Sequence, residues 1–196
     1  MKTILGLAIS SLLLATSCAH KQHLPVDEKS VSPGTAVHFN GKPINLYSGK
    51  FKKGDNFNTL VNKTDLEFKF NNKVTIISIV PSIDTPVCEA QTHLLGENYN
   101  LPKEIELVTI SRDLPMAQQR FAKEAKLGHI AYYSDYKTGS FGKKMGLLMK
   151  GKELLARGVI VLDAKGVVRY FQVNDEITKV PDMNKAFLEA QLLLGK

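Results

Sequence analysis

Three short runs rich in β-branched residues constrain this chain most: VTIISIV at residues 74–80, ELVTIS at 106–111 and GVIVL at 158–162. Few polar residues interrupt them, so strands built from them must be covered on both faces. Helical patterns fill the intervals, at about 87–99 and about 116–126. A last helix opens at Pro181-Asp182 and lines up Met183, Ala186, Phe187, Ala190, Leu193 and Leu194 on one face. Residues 167–173 follow the turn Asp163-Ala164-Lys165-Gly166 and form a hairpin partner for the third run. This order predicts an α/β fold with a central mixed sheet flanked by helices. Upstream, Asn40-Gly41 stands between residues 37–39 and 42–46. That dipeptide favours positive φ, so an N-terminal β-hairpin is expected there.

The amino end reads as an address. Lys2 precedes the apolar stretch 4–15, and the small residues Ala15-Thr16-Ser17 follow. The stretch is too short to span a bilayer and has the pattern of a secretory signal. Ala15-Thr16-Ser17-Cys18 resembles the lipobox of bacterial lipoproteins, which implies cleavage after residue 17 and diacylation of Cys18. The other reading is an ordinary cleaved signal with a chance cysteine beside it. Three segments are therefore expected: a lipoprotein signal peptide at 1–17, a flexible polar tether at 18–35 and one domain at 36–196. A lipid-anchored, extracytoplasmic protein follows. The outer membrane is mildly preferred, because Ala19 does not resemble an inner-membrane retention signal. The net charge is +7, from 26 basic and 19 acidic residues, and such a location argues against nucleic acid as a partner.

Cys18 and Cys88 are the only cysteines, which excludes a disulfide-dense scaffold and a four-cysteine zinc site. Cys88 stands just past the end of the first apolar run, in the first turn of the helix expected from about residue 87. Unpaired N–H groups at a helix start favour a thiolate, the nucleophilic form of sulfur. Thr85 can turn its hydroxyl toward that sulfur, and Pro86 suits a helix start. A lone cysteine is otherwise a small buried hydrophobe. Its place at a strand-to-helix switch speaks for chemistry.

Here the residues resemble a known family. Pro81-x-x-x-Thr85-x-x-Cys88 matches the peroxiredoxin signature, and PSIDTPVC is similar to that of the Tpx-type thiol peroxidases. Three further blocks match in order: 111–121 (SRDLPMAQQRF), 155–163 (LARGVIVLD), and Asp175-Glu176-Ile177-Thr178 with Pro181-Asp182. The resemblance implies a thioredoxin-like fold and reduction of hydrogen peroxide and organic hydroperoxides by a peroxidatic Cys88. It implies that Thr85 bonds the thiolate and the peroxide, that Pro81 shields the sulfur from water, and that Arg157 is the active-site arginine. It also implies a homodimer. An arginine suits the task, because it is always charged and presents several donors in a rigid fork.

One position departs from the pattern. Tpx-type enzymes carry a resolving cysteine at the end of the 111–121 block, and this chain has Ala122 there. A one-cysteine cycle is expected, with the sulfenic acid on Cys88 reduced by an external thiol or a thioredoxin-like partner. Cys18 could resolve it only if it were not lipidated. The alternative is a redox-sensing or scaffold lipoprotein on the same fold, without turnover. No metal-ligand spacing such as CxxC or HExxH occurs, and no cofactor is expected. His93 lies about 140° around the helix from Cys88 and is poorly placed as a base. The lysines at 143–144 and 150–152 read as a solvated face.

Overall fold

A computed structural model describes residues 24–195 of the chain. The expected signal peptide at 1–17 and Cys18 lie outside the described residues. The first apolar run becomes β4 (Thr75–Ile79), buried along its whole length. It runs parallel to β5 (Glu106–Ser111), which in turn runs parallel to β6 (Ala131–Ser134). On its other side β4 pairs antiparallel with β7 (Gly158–Leu162), which forms a hairpin with β8 (Val168–Val173). The sheet order is β6-β5-β4-β7-β8, the mixed sheet that the sequence predicts.

The two-residue period of the strands divides the core between two faces. Ile77, Ile79, Val108, Ile110, Ile160 and Leu162 face a cluster closed by Phe57, Phe141 and Leu46. Those residues come from α1 (Phe57–Val61), α4 (Ser140–Met145) and the N-terminal hairpin region. Ile76, Val159 and Val161 face the opposite cluster, with Leu95 of α2 (Pro86–Gly96) and Ala186, Phe187 and Ala190 of α5 (Met183–Leu193). The face predicted for the last helix is the buried one. α3 (Pro115–Glu124) adds Phe121 to this side.

β2 (Ala36–Phe39) and β3 (Lys42–Asn45) form the expected hairpin. Its turn residues Asn40 and Gly41 take φ of 50° and 74°, the left-handed values that the dipeptide favours.

The expected flexible tether is corrected for its described part. β1 (Val26–Asp27) pairs parallel with β9 (Val180–Pro181), and Ser30 bridges to Asn174. Hydrogen bonds hold this segment rather than an apolar face, which is why a search for periodicity misses it. β6, α1 and α4 were not foreseen either. β6 is only half-buried at all four residues and shows no alternation. The two helices, of 5 and 6 residues, are too short to display a period.

Candidate active site

Antiparallel pairing of β4 with β7 builds the site. Ile79 sits opposite Gly158, so the carboxyl end of one strand lies beside the amino end of the other. Arg157 precedes β7, and the segment after β4 leads through Pro81 into α2. A side chain on Gly158 would meet the Gln172 carbonyl at 2.4 Å, so glycine permits the close approach of β8 there. Residues separated by 69 positions thus meet, and Arg157 Nη2 donates to Cys88 Sγ at 3.2 Å.

The other two guanidinium nitrogens each make a bond as well. Nε donates to the Ile177 carbonyl at 2.7 Å and Nη1 to Gln91 Oε1 at 2.8 Å. Gln91, also buried, cannot turn over, because its Nε2 donates to Ser78 Oγ and the Gly158 carbonyl. The Ile177 carbonyl and Gln91 Oε1 accept from the arginine but carry no net charge. Arg157 is only 3 % exposed, and a buried cation is costly unless an anion balances it. The sulfur it touches becomes that anion when Cys88 ionises.

Cys88 occupies the first turn of α2, as expected, and is completely buried in a small cluster with Val80, Ile83 and Phe121. Pro81 is buried next to Val80. Thr85 is not brought to the sulfur. It is exposed at the N-cap of α2, and its hydroxyl donates to the Ser82 carbonyl at 3.3 Å. The loop that carries it is pinned from β5's end. Asp113 accepts from Ser82 Oγ at 2.6 Å and from the Ile83 N–H at 2.8 Å. A cleft of about 160 Å³ beside the cluster shares Ile83 and Phe121 with it and is lined also by Leu114, Ala117 and Arg120. Ala122, at the position of the missing thiol, is buried on α3. His93 is engaged with Glu97 at 2.8 Å on the helix surface.

Gln91 and Ile177 were missed by the sequence reading. Gln91 lies one turn beyond Cys88, on the same face of α2, and that spacing was the available signal. The Ile177 contribution is a backbone carbonyl, to which side-chain identity gives no clue.

A thiol in the first turn of a helix, facing a buried guanidinium at the ends of two inner strands of a mixed sheet, defines a thioredoxin-like protein built for sulfur chemistry. Residues 49–187 match the Redoxin family. A thiol peroxidase of Halalkalibacterium halodurans is 39% identical over 166 residues, covering 81% of this chain and 99% of that one. A thiol peroxidase of Bacillus subtilis is 38% identical over 165 residues, covering 81% and 98%. Among solved structures, a peroxiredoxin-like protein from Aquifex aeolicus superposes with a TM-score of 0.70 at 26% identity, covering 83% and 99%. The chain belongs to the redoxin family, within its thiol peroxidase branch.

Proposed function

We propose that this protein reduces hydrogen peroxide and organic hydroperoxides through Cys88, in a one-cysteine cycle completed by an external thiol. The contact of Arg157 Nη2 with Cys88 Sγ at 3.2 Å carries the reading. The Cys88 thiolate attacks the distal oxygen of the hydroperoxide. A sulfur–oxygen bond forms, the oxygen–oxygen bond breaks, and the departing alkoxide or hydroxide takes up a proton. Cys88 is left as a sulfenic acid, oxidised by two electrons. Arg157 donors lie where negative charge passes from sulfur to oxygen, the kind of preorganised stabilisation that lowers such barriers. Thr85 stands at the exposed mouth of the site, where its hydroxyl can turn from the Ser82 carbonyl to an arriving peroxide. Pro81, buried behind the loop, keeps water from the sulfur.

A reductant thiol, free or on a thioredoxin-like protein, then attacks the sulfenic sulfur and releases water. A second thiol resolves the mixed disulfide and restores Cys88. Because Cys88 is fully buried, the first turn of α2 must open to admit that partner. The cleft lined by Ile83, Leu114 and Phe121 lies on the approach.

The anchor belongs to the same proposal. Cys18 is lipidated, and the protein is held on the extracytoplasmic side, preferentially at the outer membrane. From Cys18 to the paired Val26 the chain extends at most about 28 Å, which keeps the active site close to the bilayer. Labelling with palmitate that is lost in Cys18→Ser tests this, and sedimentation tests the homodimer that the family resemblance implies. A redox sensor without turnover is the second reading, favoured by Ala122 in place of a resolving thiol.

Peroxide consumption with dithiothreitol as reductant separates the readings. Multiple turnovers that vanish in Cys88→Ser support the peroxidase. A single oxidation without turnover supports the sensor, and equal rates in the two proteins defeat both.

A further inference from the structure

The block Asp175-Glu176-Ile177-Thr178 holds no group that touches the sulfur, yet it supplies the carbonyl that receives Arg157 Nε. The orientation of that carbonyl is not left to the loop. The Ile177 C=O and the Thr178 N–H share one planar peptide unit and point in opposite directions. The Thr178 N–H donates to Glu176 Oε1 at 3.1 Å, and the Thr178 hydroxyl donates to the same oxygen at 2.8 Å. Fixing the N–H toward Glu176 turns the carbonyl toward the arginine.

The Glu176 carboxylate is itself held from the hairpin turn. The Asn40 N–H donates to Oε1 at 3.1 Å and the Gly41 N–H to Oε2 at 2.9 Å. The Glu176 backbone is held from the amino-terminal side. Its N–H donates to Asp27 Oδ2 at 2.7 Å, and the Lys29 N–H donates to Asp27 Oδ1 at 3.1 Å. Asp27 is only 2 % exposed, and these bonds commit both its oxygens to main-chain donors. Such a carboxylate organises backbone rather than pairing with a cation. Pairing of β1 with β9, and the bond from the Val180 N–H to the Pro25 carbonyl at 3.0 Å, hold Asp27 in place.

We propose that Asp27 and Glu176 are positioning residues for Arg157, acting in series through the 177–178 peptide plane. The segment that connects the domain to its amino terminus is thereby part of the machinery that sets the active-site guanidinium. The inference rests on the peroxidase reading of Arg157 and goes beyond it, since neither carboxylate touches the reacting atoms.

The test is a double-mutant cycle on single-turnover oxidation of Cys88 by hydrogen peroxide, measured per folded molecule well below each variant's unfolding midpoint. Asp27→Ala and Glu176→Ala should each slow oxidation about tenfold or more, because small displacements of a positioned group are costly to rate. In an Arg157→Gln background the same changes should cost less than about twofold, because their target is gone. Asp27→Asn keeps an acceptor for the Glu176 N–H and should recover most of the rate. Equal losses in both backgrounds, or wild-type rates in both alanine variants, overturn the proposal. Should Asp27→Ala fail to fold, Asp27→Ser and Glu176→Ala are read in the same cycle. If Arg157→Gln alone leaves the rate unchanged, the functional reading fails rather than the positioning one.

Discussion

Arg157→Gln removes the guanidinium and leaves a neutral amide of shorter reach. Three bonds disappear, to Cys88 Sγ, Gln91 Oε1 and the Ile177 carbonyl. A hydrogen bond between charged partners contributes about 1.5–3 kcal/mol, and the bond to sulfur is of this kind once Cys88 ionises. At about 1.36 kcal/mol per tenfold in rate, that bond alone accounts for roughly 10–150-fold. The same donors follow charge onto the leaving oxygen, and loss of one preorganised donor costs about 10²–10³ in rate in all. The oxidation rate should therefore fall by about 10²–10³. Stability should fall as well. Two orphaned buried acceptors cost about 1–3 kcal/mol each, but removal of a desolvated cation offsets part of that. Quenched-flow alkylation after mixing with hydrogen peroxide measures the first effect and thermal unfolding the second. Arg157→Lys should fall between, because an ammonium keeps the charge but cannot serve three divergent acceptors. A rate for Arg157→Gln within about threefold of wild type would exclude this role for the guanidinium, because no such electrostatic contribution is that small.

Gln91→Leu orphans the Arg157 Nη1 donor and the Ser78 and Gly158 partners. It should lower stability by about 1–3 kcal/mol and slow peroxide oxidation about tenfold, read by unfolding and by thiol loss. Thr85→Val should slow peroxide oxidation by about tenfold while the unfolding midpoint barely moves, since the lost Ser82 bond is exposed and worth about 1 kcal/mol at most. An unchanged rate would remove Thr85 from contact with peroxide. Burial of Glu176 opposes its ionisation, but bonds from the Gly41 N–H, the Thr178 hydroxyl and N–H and the Asn40 N–H outweigh it and hold the carboxyl below its ordinary 4.5. A depressed folded-state value stabilises the fold above the unfolded value and loses that stabilisation as pH falls through the folded one. The stability gap between wild type and Glu176→Gln should be constant at neutral pH and close as pH drops below 4.5. A gap that widens in acid would contradict this.

Much of this architecture is written in local patterns. The apolar runs became β4, β5 and β7, Asn40-Gly41 made its turn, and Met183, Ala186, Phe187 and Ala190 face the core. Cys88 at a helix start was legible for the same reason, since a strand end followed by a helical period fixes its place. Its meeting with Arg157 was not readable from spacing. That contact depends on β7 running antiparallel to β4, which apolar runs do not encode. Family resemblance named the arginine, but the carbonyl of Ile177 and the amide of Gln91 that aim it required coordinates. The packed segment at Asp27 was hidden because it is stitched by hydrogen bonds to backbone and carries almost no apolar signal.

One sulfur, Cys88, takes the peroxide oxygen and waits for an outside thiol. Mass spectrometry of the full-length protein after one equivalent of hydrogen peroxide, with dimedone present to trap sulfenic acid, tests this most directly. A single dimedone adduct on Cys88 is expected, and it should not form when dithiothreitol reduces the oxidised protein before dimedone is added. A Cys18–Cys88 disulfide, or a thiol on Cys88 that peroxide leaves untouched, would contradict it.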